Sequence, residues 1–91
     1  MERPVPYDIV ISRAGHDAGK LFMVVGNRQE RLLLCDGKNR RLTNPKCKSP
    51  KHVRIARAGG NAPASDKDIR QTIALAAENA AAKEGRLLGE R

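Results

Sequence analysis

The chain has almost no aromatic side chains: one Tyr, one Phe and no Trp among its 91 residues. Proteins that bind single-stranded nucleic acid stack successive bases on aromatic side chains, and the peptide-binding grooves of small β-domains have aromatic walls. Tyr7 and Phe22 are too few to build either kind of surface. The composition therefore argues against both modes of binding.

Long apolar runs and paired cysteines are also missing. The apolar runs Leu21–Val25 and Leu32–Cys35 are far shorter than the ~20 residues that span a bilayer. The N-terminal residues lack the apolar segment of a signal peptide. We therefore expect a cytoplasmic protein without membrane contact, in which Cys35 and Cys47 stay reduced and form no disulfide.

Carboxylates are absent from the most basic stretch of the chain. The 18 Lys and Arg exceed the 10 Asp and Glu by eight. Residues 1–60 carry 13 cations and 5 carboxylates (13 − 5 = +8), whereas residues 61–91 carry five of each. Between residues 38 and 57 there are eight cations and no carboxylate. Such a stretch repels itself unless it is solvated or meets a polyanion, so we predict a phosphate-bearing partner.

Residues 7–57 have the texture of a β-domain, because short runs of Val, Ile and Leu alternate with turn residues. The predicted strands are Tyr7–Ser12, Leu21–Val25, Arg31–Cys35, Asn39–Leu42 and His52–Ala56. Asp36-Gly37 is suited to a type I′ hairpin turn, and residues 46–51 form a predicted loop. Five short antiparallel strands of this size usually close into a barrel that hides their edges. In the last strand we expect Val53 and Ile55 inside and His52 and Arg54 outside.

The rest of the chain predicts a linker and a helix. Residues 58–64 are rich in Gly, Ala and Pro and form a predicted flexible linker. A helix is predicted over 65–85, capped by Ser65 or Asp66 and stopped by Gly85, followed by a tail over 86–91. Its apolar stripe of Ile69, Ile73 and alanines is thin. We expect it to dock on the barrel, to self-associate weakly or to stay free, and deletion of 62–91 to leave the affinity for the predicted phosphate-bearing partner nearly unchanged.

The segment from Arg13 to Val25 resembles a KOW motif, because a loop with two glycines and Lys20 joins two apolar strands. The resemblance extends over about residues 7–56 through three further segments: Leu34–Gly37, Leu42–Lys46 and Lys51-His52. This layout is similar to KOW-domain ribosomal proteins of the archaeal and eukaryotic large subunit and to small bacterial KOW-domain RNA-binding proteins. Phe22 stands where many KOW motifs have a glycine, and we expect it in the core.

The resemblance implies a non-catalytic, ribosome-associated role, with an SH3-like five-stranded barrel over 1–57 whose first loop and basic rim contact RNA. The scarcity of aromatic residues favours folded RNA over exposed bases, with ribosomal RNA as the first candidate. The RNA-binding residues that the resemblance and the charge pattern together predict are Arg13, Gly15, His16, Gly19, Lys20, Lys38, Arg40, Arg41, Lys46, Lys48, Lys51, His52 and Arg54. We expect no cofactor.

Other functions stay open at this point. A protein–protein interaction module that binds an acidic partner would also explain the basic stretch, and charge alone does not separate RNA from DNA. For a zinc site the available soft ligands are His16, Cys35, Cys47 and His52, which lack the two close pairs of a zinc knuckle. Catalysis is disfavoured because no carboxylates pair at a spacing that suggests acid–base chemistry.

Overall fold

The structure is a computed structural model that describes residues 3–89, with side chains described as far as residue 78. It contains five strands and one long helix. In chain order these are β1 (Ile9–Ser12), β2 (Leu21–Arg28), β3 (Arg31–Cys35), β4 (Lys46–Lys48), β5 (Val53–Arg57) and α1 (Asp66–Gly89). The predictions of a mainly β fold and of a C-terminal helix are confirmed.

The five strands form one antiparallel sheet in the order β4-β3-β2-β1-β5. The two edge strands, β4 and β5, are connected by only residues 49–52, most of which form a 3-10 turn, Pro50–His52. Neighbouring strands lie ~4.8 Å apart, so a connection of this length reaches from edge to edge only if the sheet curls strongly. Within residues 3–89 the edges do not pair, and the sheet is not closed into a barrel.

Both faces of the curled sheet are covered by apolar side chains. Consecutive residues of a strand point to opposite faces, so Val10 and Phe22 lie on one face while Ile9 and Met23 lie on the other. The first face carries a cluster of Val10, Phe22, Val24, Leu32, Leu34 and Val53. As predicted, Phe22 is buried, and Val53 and Ile55 pack inward while Arg54 is exposed.

The second face is covered by the first turns of α1. Ile69 is fully buried there, and Ala76 and Ile73 pack with it against Ile9 and Met23. Of the three outcomes that the sequence leaves open for this helix, the structure shows docking on the sheet. The apolar stripe is thin, yet it packs on a sheet face where Tyr7 and Leu42 from outside the strands also pack. Removing residues 62–91 would expose that face, so we now expect the truncation to destabilise the domain.

The predicted fourth strand, Asn39–Leu42, is wrong. That segment is a bend, because its backbone amides are taken by side chains: the Asp36 carboxylate accepts from the Arg40 amide, and the Asp66 carboxylate accepts from the Leu42 amide. The fourth strand is instead Lys46–Lys48, in the predicted loop, where it pairs with β3. This strand is specified by its neighbours in space and has no apolar pattern of its own.

Three local predictions also need correction. Asp36-Gly37 does not form a type I′ turn, which requires positive φ at both central residues, since Gly37 has φ +80° and Asp36 does not have positive φ. β2 continues past Val25, its predicted last residue, to Arg28, with a register shift between Val24 and Gly26. The helix does not stop at Gly85 but continues to Gly89, so most of the predicted tail is helical.

The predicted linker is tied to the start of the chain. The amide of Gly59 donates to the Asp8 carboxylate over 3.1 Å, and Asp8 also accepts from the amide of Val5 over 3.0 Å. Asp8 is buried, with 2% of its surface exposed. The start of the chain and the segment leading to α1 are therefore tied to the same carboxylate.

Candidate nucleic-acid interface

Two loops that carry predicted RNA-binding residues lie at the same end of the sheet. Residues 13–20 connect β1 to β2, and residues 36–45 connect β3 to β4. The antiparallel pairings bring the end of β1 beside the start of β2, and the end of β3 beside the start of β4. As a result, cations that are distant in sequence meet at one edge of the fold.

The first loop is fixed by a buried carboxylate, Asp17, which is 6% exposed. It accepts hydrogen bonds from the Ser12 hydroxyl over 2.8 Å and from the Lys48 amine over 2.7 Å, and it also pairs with the Lys46 amine. Burial alone would raise the pKa of Asp17, but the hydrogen bonds from Lys46, Lys48 and Ser12 hold that pKa well below its usual value. The carboxylate therefore stays charged and anchors the loop to β4.

This ion-pair cluster uses two of the predicted RNA-binding lysines. The Lys48 side chain is 8% exposed, and its amine also donates to the carbonyl of Ala14 over 2.7 Å. Its charge is neutralised inside the protein, so we leave Lys48 out of the candidate surface. Lys46 is more exposed, with 30% of its side chain accessible, but its amine is ion-paired with Asp17.

The second loop is fixed through its backbone, and among the described residues Lys38, Arg40 and Arg41 form no ion pair. The carboxylate of Asp36 accepts from the backbone amides of Lys38 and Arg40, each over 2.8 Å. The Arg41 guanidinium donates to the carbonyl of Lys38 over 3.2 Å. Lys38 and Arg41 are exposed and Arg40 is half-exposed. Asp36 thus orders the loop through its backbone while these side chains point toward solvent.

Helix α1 is joined to this loop by two hydrogen bonds. The Asp66 carboxylate accepts from the amide of Leu42 over 2.8 Å, and the Arg70 guanidinium donates to the carbonyl of Gly37 over 2.7 Å. A Cβ atom on Gly37 would lie 2.5 Å from the carbonyl oxygen of Asp66 and 2.7 Å from Cγ of Arg70. The loop backbone and the first turn of the helix therefore touch directly, and only glycine fits between them.

The loop cations surround two adjoining depressions. Lys20, Arg40 and Lys46 line the first, together with Asp17 and Asp36. Lys20 also lines the second, together with two further cations, Lys38 and Arg70. Sequence reasoning missed Arg70 because the tail is neutral as a whole, and nothing local shows that this arginine meets a loop 33 residues earlier.

The remaining predicted residues lie on the β1–β2 loop and around the start of β5. Gly15 and Gly19 have φ of +84° and +89°, as a tight loop requires, and Arg13, Gly15, His16 and Gly19 are exposed. The Arg13 amide donates to the carbonyl of His52 over 2.8 Å. Lys51, His52 and Arg54 are exposed as well. Of these residues, Gly19 lines the second loop depression and the others line neither, and Arg41 of the second loop also lines neither.

The two aromatic side chains of the chain offer no stacking platform. Phe22 is 3% exposed, and Tyr7 packs against the cluster beneath α1. A surface without aromatic rings binds nucleic acid through charge and shape, because each stacked base needs a flat partner.

The soft ligands considered for zinc do not assemble. Cys35 is buried in the cluster beneath α1, and burial, followed by the negative charges of Asp66 and Asp36, raises the pKa of its thiol to about 11. Cys47 is exposed on β4. Within the described part of the chain, no group of three or more His, Cys, Asp or Glu side chains could hold a metal ion.

Comparison of the sequence with protein-family models and with curated proteins finds no significant match. Among residues 3–89, no helix has both the length and the apolar character needed to cross a membrane. The class of the protein therefore rests on its fold and on the chemistry of its surface.

Proposed function

We propose that this chain is a non-catalytic RNA-binding protein, with a curled sheet of the SH3-like KOW type and a basic loop end that contacts the backbone of structured RNA. The observation that carries the proposal is the arrangement of Lys20, Lys38, Arg40 and Arg70 around loops whose backbones are fixed. Ribosomal RNA is the first candidate on resemblance alone.

The SH3-like assignment is supported by the four-residue connection between the edge strands. Residues 49–52 include a 3-10 turn and join β4 to β5 across a five-stranded sheet. In an SH3-like barrel the same curling brings the first and last strands of the sheet together, which leaves the connecting loops at the rim. The basic loops over 13–20 and 36–45 would then belong to that rim.

Pre-ordered loops favour phosphate binding because less conformational entropy is lost when the complex forms. Arg40 and Arg70 present guanidinium groups, which match phosphate oxygens in a bidentate geometry. Lys20 and Lys38 add mobile point charges beside them. Such a surface recognises the backbone of folded RNA, and its affinity falls as salt rises because bound counterions are released.

The test is the salt dependence of binding to a structured RNA, measured by fluorescence anisotropy. We expect log affinity to fall linearly with log salt, and the double variant Arg40→Ala/Arg41→Ala to reduce the slope by about 0.7–0.9 for each phosphate that is no longer neutralised. The matched control is Arg57→Ala/Lys67→Ala, which removes two exposed cations that lie on β5 and α1 and on neither basic loop. Equal slopes for the two double variants would contradict the proposed surface.

Competition separates RNA from the rival partners. We expect structured RNA to displace a labelled RNA at lower concentration than duplex DNA of the same sequence or polyglutamate. Equal displacement by polyglutamate would favour an acidic protein partner, because such a peptide matches the charge without the geometry of a nucleic-acid backbone. Equal displacement by DNA would remove the assignment to RNA.

A further inference from the structure

A groove with three exposed cations, Arg3, Arg31 and Lys51, lies outside the two loop depressions. Arg3 and Arg31 come from parts of the chain that showed no basic pattern in the sequence. The full set that lines the groove is Arg3, Glu30, Arg31, Lys48, Ser49, Pro50, Lys51 and His52. The fold therefore brings Arg3 and Arg31 beside the basic stretch, and Glu30 is the one carboxylate in this set.

The groove and the first loop depression are connected by β4. Lys46 lines the depression and Lys48 lines the groove. The two lysines are i and i+2 on β4, so their side chains leave the strand on the same face about 7 Å apart. Both amines also reach Asp17. The buried ion pair at Asp17 is thus the boundary between two neighbouring basic surfaces.

Strand β3 gives the distance between the outer parts of the two surfaces. Arg31, at the groove, begins β3, and Asp36, at the depression, follows its last residue. Five residues of extended strand span about 16 Å. Phosphates of one nucleic-acid strand rise by about 3.4 Å each, so the two surfaces contact phosphates that are several nucleotides apart or lie on opposite strands of a stem.

We propose that the groove is a second backbone-binding site, and that groove and loop end together hold the two strands of an RNA hairpin stem. This proposal rests on the proposed function and names the class of RNA. A stem presents two backbones across its wide, shallow minor groove, where proteins bind by shape and phosphate contact. A single strand that contacted both surfaces would leave its bases without stacking partners, because Phe22 is buried and Tyr7 packs beneath α1, whereas the bases of a stem stack on one another.

The first test compares a hairpin with a stem of about 12 base pairs and an unpaired strand of the same length and composition. We expect the hairpin to bind the wild-type protein more tightly. The variant Arg31→Gln/Lys51→Gln should lower hairpin affinity about tenfold and reduce the salt slope by about 1.5, as expected when two phosphates are no longer neutralised by the protein. The matched control, Arg57→Gln/Lys67→Gln, should leave affinity and slope close to the wild-type values.

The second test removes a negative charge from the groove, so it is expected to raise the affinity and not to lower it. Glu30→Gln removes the one carboxylate of the groove and should raise hairpin affinity about two- to threefold, because the approaching phosphate no longer meets a like-charged neighbour. An increase in affinity is a readout that partial unfolding would not produce. Unchanged or weaker binding by Glu30→Gln would overturn the assignment of phosphate to the groove.

The outcomes distinguish this inference from the proposed function. If Arg40→Ala/Arg41→Ala weakens hairpin binding while Arg31→Gln/Lys51→Gln does not, the groove proposal is wrong and the loop-end surface stands. If neither double variant weakens binding, both proposals are wrong. Equal affinity of the wild-type protein for hairpin and unpaired strand would also overturn the two-strand model.

Discussion

Two carboxylates, Asp17 and Asp36, hold the two loops at the basic end of the sheet, and they do so in different ways. Asp17 is 6% exposed and is surrounded by charged partners, the amines of Lys46 and Lys48. Asp36 is half-buried and accepts from the backbone amides of Lys38 and Arg40. Asp17 therefore neutralises Lys46 and Lys48, whereas Asp36 orders its loop without pairing with the side chain of Lys38 or Arg40.

The difference shows how a run of like charge folds without repelling itself. Where two lysines of the basic stretch must lie close together on β4, a buried anion from another loop stands between them. In the second loop the ordering contacts are hydrogen bonds from backbone amides to Asp36. These bonds leave the charges of the Lys38 and Arg40 side chains unpaired with Asp36. The net positive charge of this end therefore comes mainly from the second loop, Lys20 and Arg70.

The largest effect should follow from Asp17→Asn. An amide in this position leaves the buried Lys48 amine without its counter-charge, and removing one partner of a buried pair costs about 3–5 kcal/mol in the free energy of unfolding. Urea denaturation at pH 7 measures this change. The matched control is Glu30→Gln, which alters charge by the same amount at an exposed turn and should change stability by less than about 0.5 kcal/mol.

The pH dependence of the same variant checks the cause. Because the pKa of Asp17 is lower in the folded chain than in the unfolded chain, the unfolded chain binds more protons at low pH. The stabilisation is therefore complete above about pH 5 and is lost as pH falls through the unfolded pKa toward the folded pKa. The stability difference between wild type and Asp17→Asn should shrink as pH drops from 5 to about 2. A difference that stays constant would contradict an ionic role for Asp17.

A smaller effect is expected from Gly37→Ala, which tests the support of the second loop by α1. The new Cβ would lie 2.5 Å from the Asp66 carbonyl oxygen, and the residue has φ +80°. Strain and steric conflict together should cost about 2–3 kcal/mol of stability. The substitution should also weaken RNA binding, because the loop that carries Lys38 and Arg40 must move away from the helix.

Gly19→Ala is the matched control for that substitution. Gly19 has φ +89°, but a Cβ there would meet nothing within 4 Å. Alanine at this position should therefore incur only the backbone strain of positive φ, about 1 kcal/mol. Equal decreases in stability for the two variants would show that the contact between Gly37 and α1 contributes nothing of its own.

The contrast between the loops also explains which features could be predicted from the sequence. β1, β2, β3 and β5 follow local apolar runs, and their existence was predicted, as was the burial of Phe22. β4 was missed because Lys46–Lys48 has no apolar pattern, and its partners, β3 and Asp17, are far away in the chain.

The candidate site divides in the same way. A count of charge predicts Lys38 and Arg40, which are exposed or half-exposed, but it does not distinguish them from Lys48, which is buried in an ion pair. Arg70 and Arg31 also belong to the basic surfaces, but only long-range contacts bring them there, and the sequence around each residue shows no basic pattern. Local patterns thus show which segments are basic, and the long-range contacts decide which charges remain available.

The smallest change in stability is expected from Asp36→Asn, and it tests the comparison most directly. An asparagine retains a side-chain oxygen that can accept from the Lys38 and Arg40 amides, although a neutral acceptor forms weaker bonds than a carboxylate. The free energy of unfolding should therefore fall by less than about 1 kcal/mol. The same substitution removes a negative charge beside Lys20 and Arg40, so RNA affinity should rise about two- to threefold. Urea denaturation and anisotropy on one preparation measure both quantities. An acceptor of backbone amides tolerates the loss of its charge, whereas the counter-charge of a buried lysine does not. If Asp36→Asn destabilises the chain as much as Asp17→Asn does, the two carboxylates do not differ in the way that their contacts indicate.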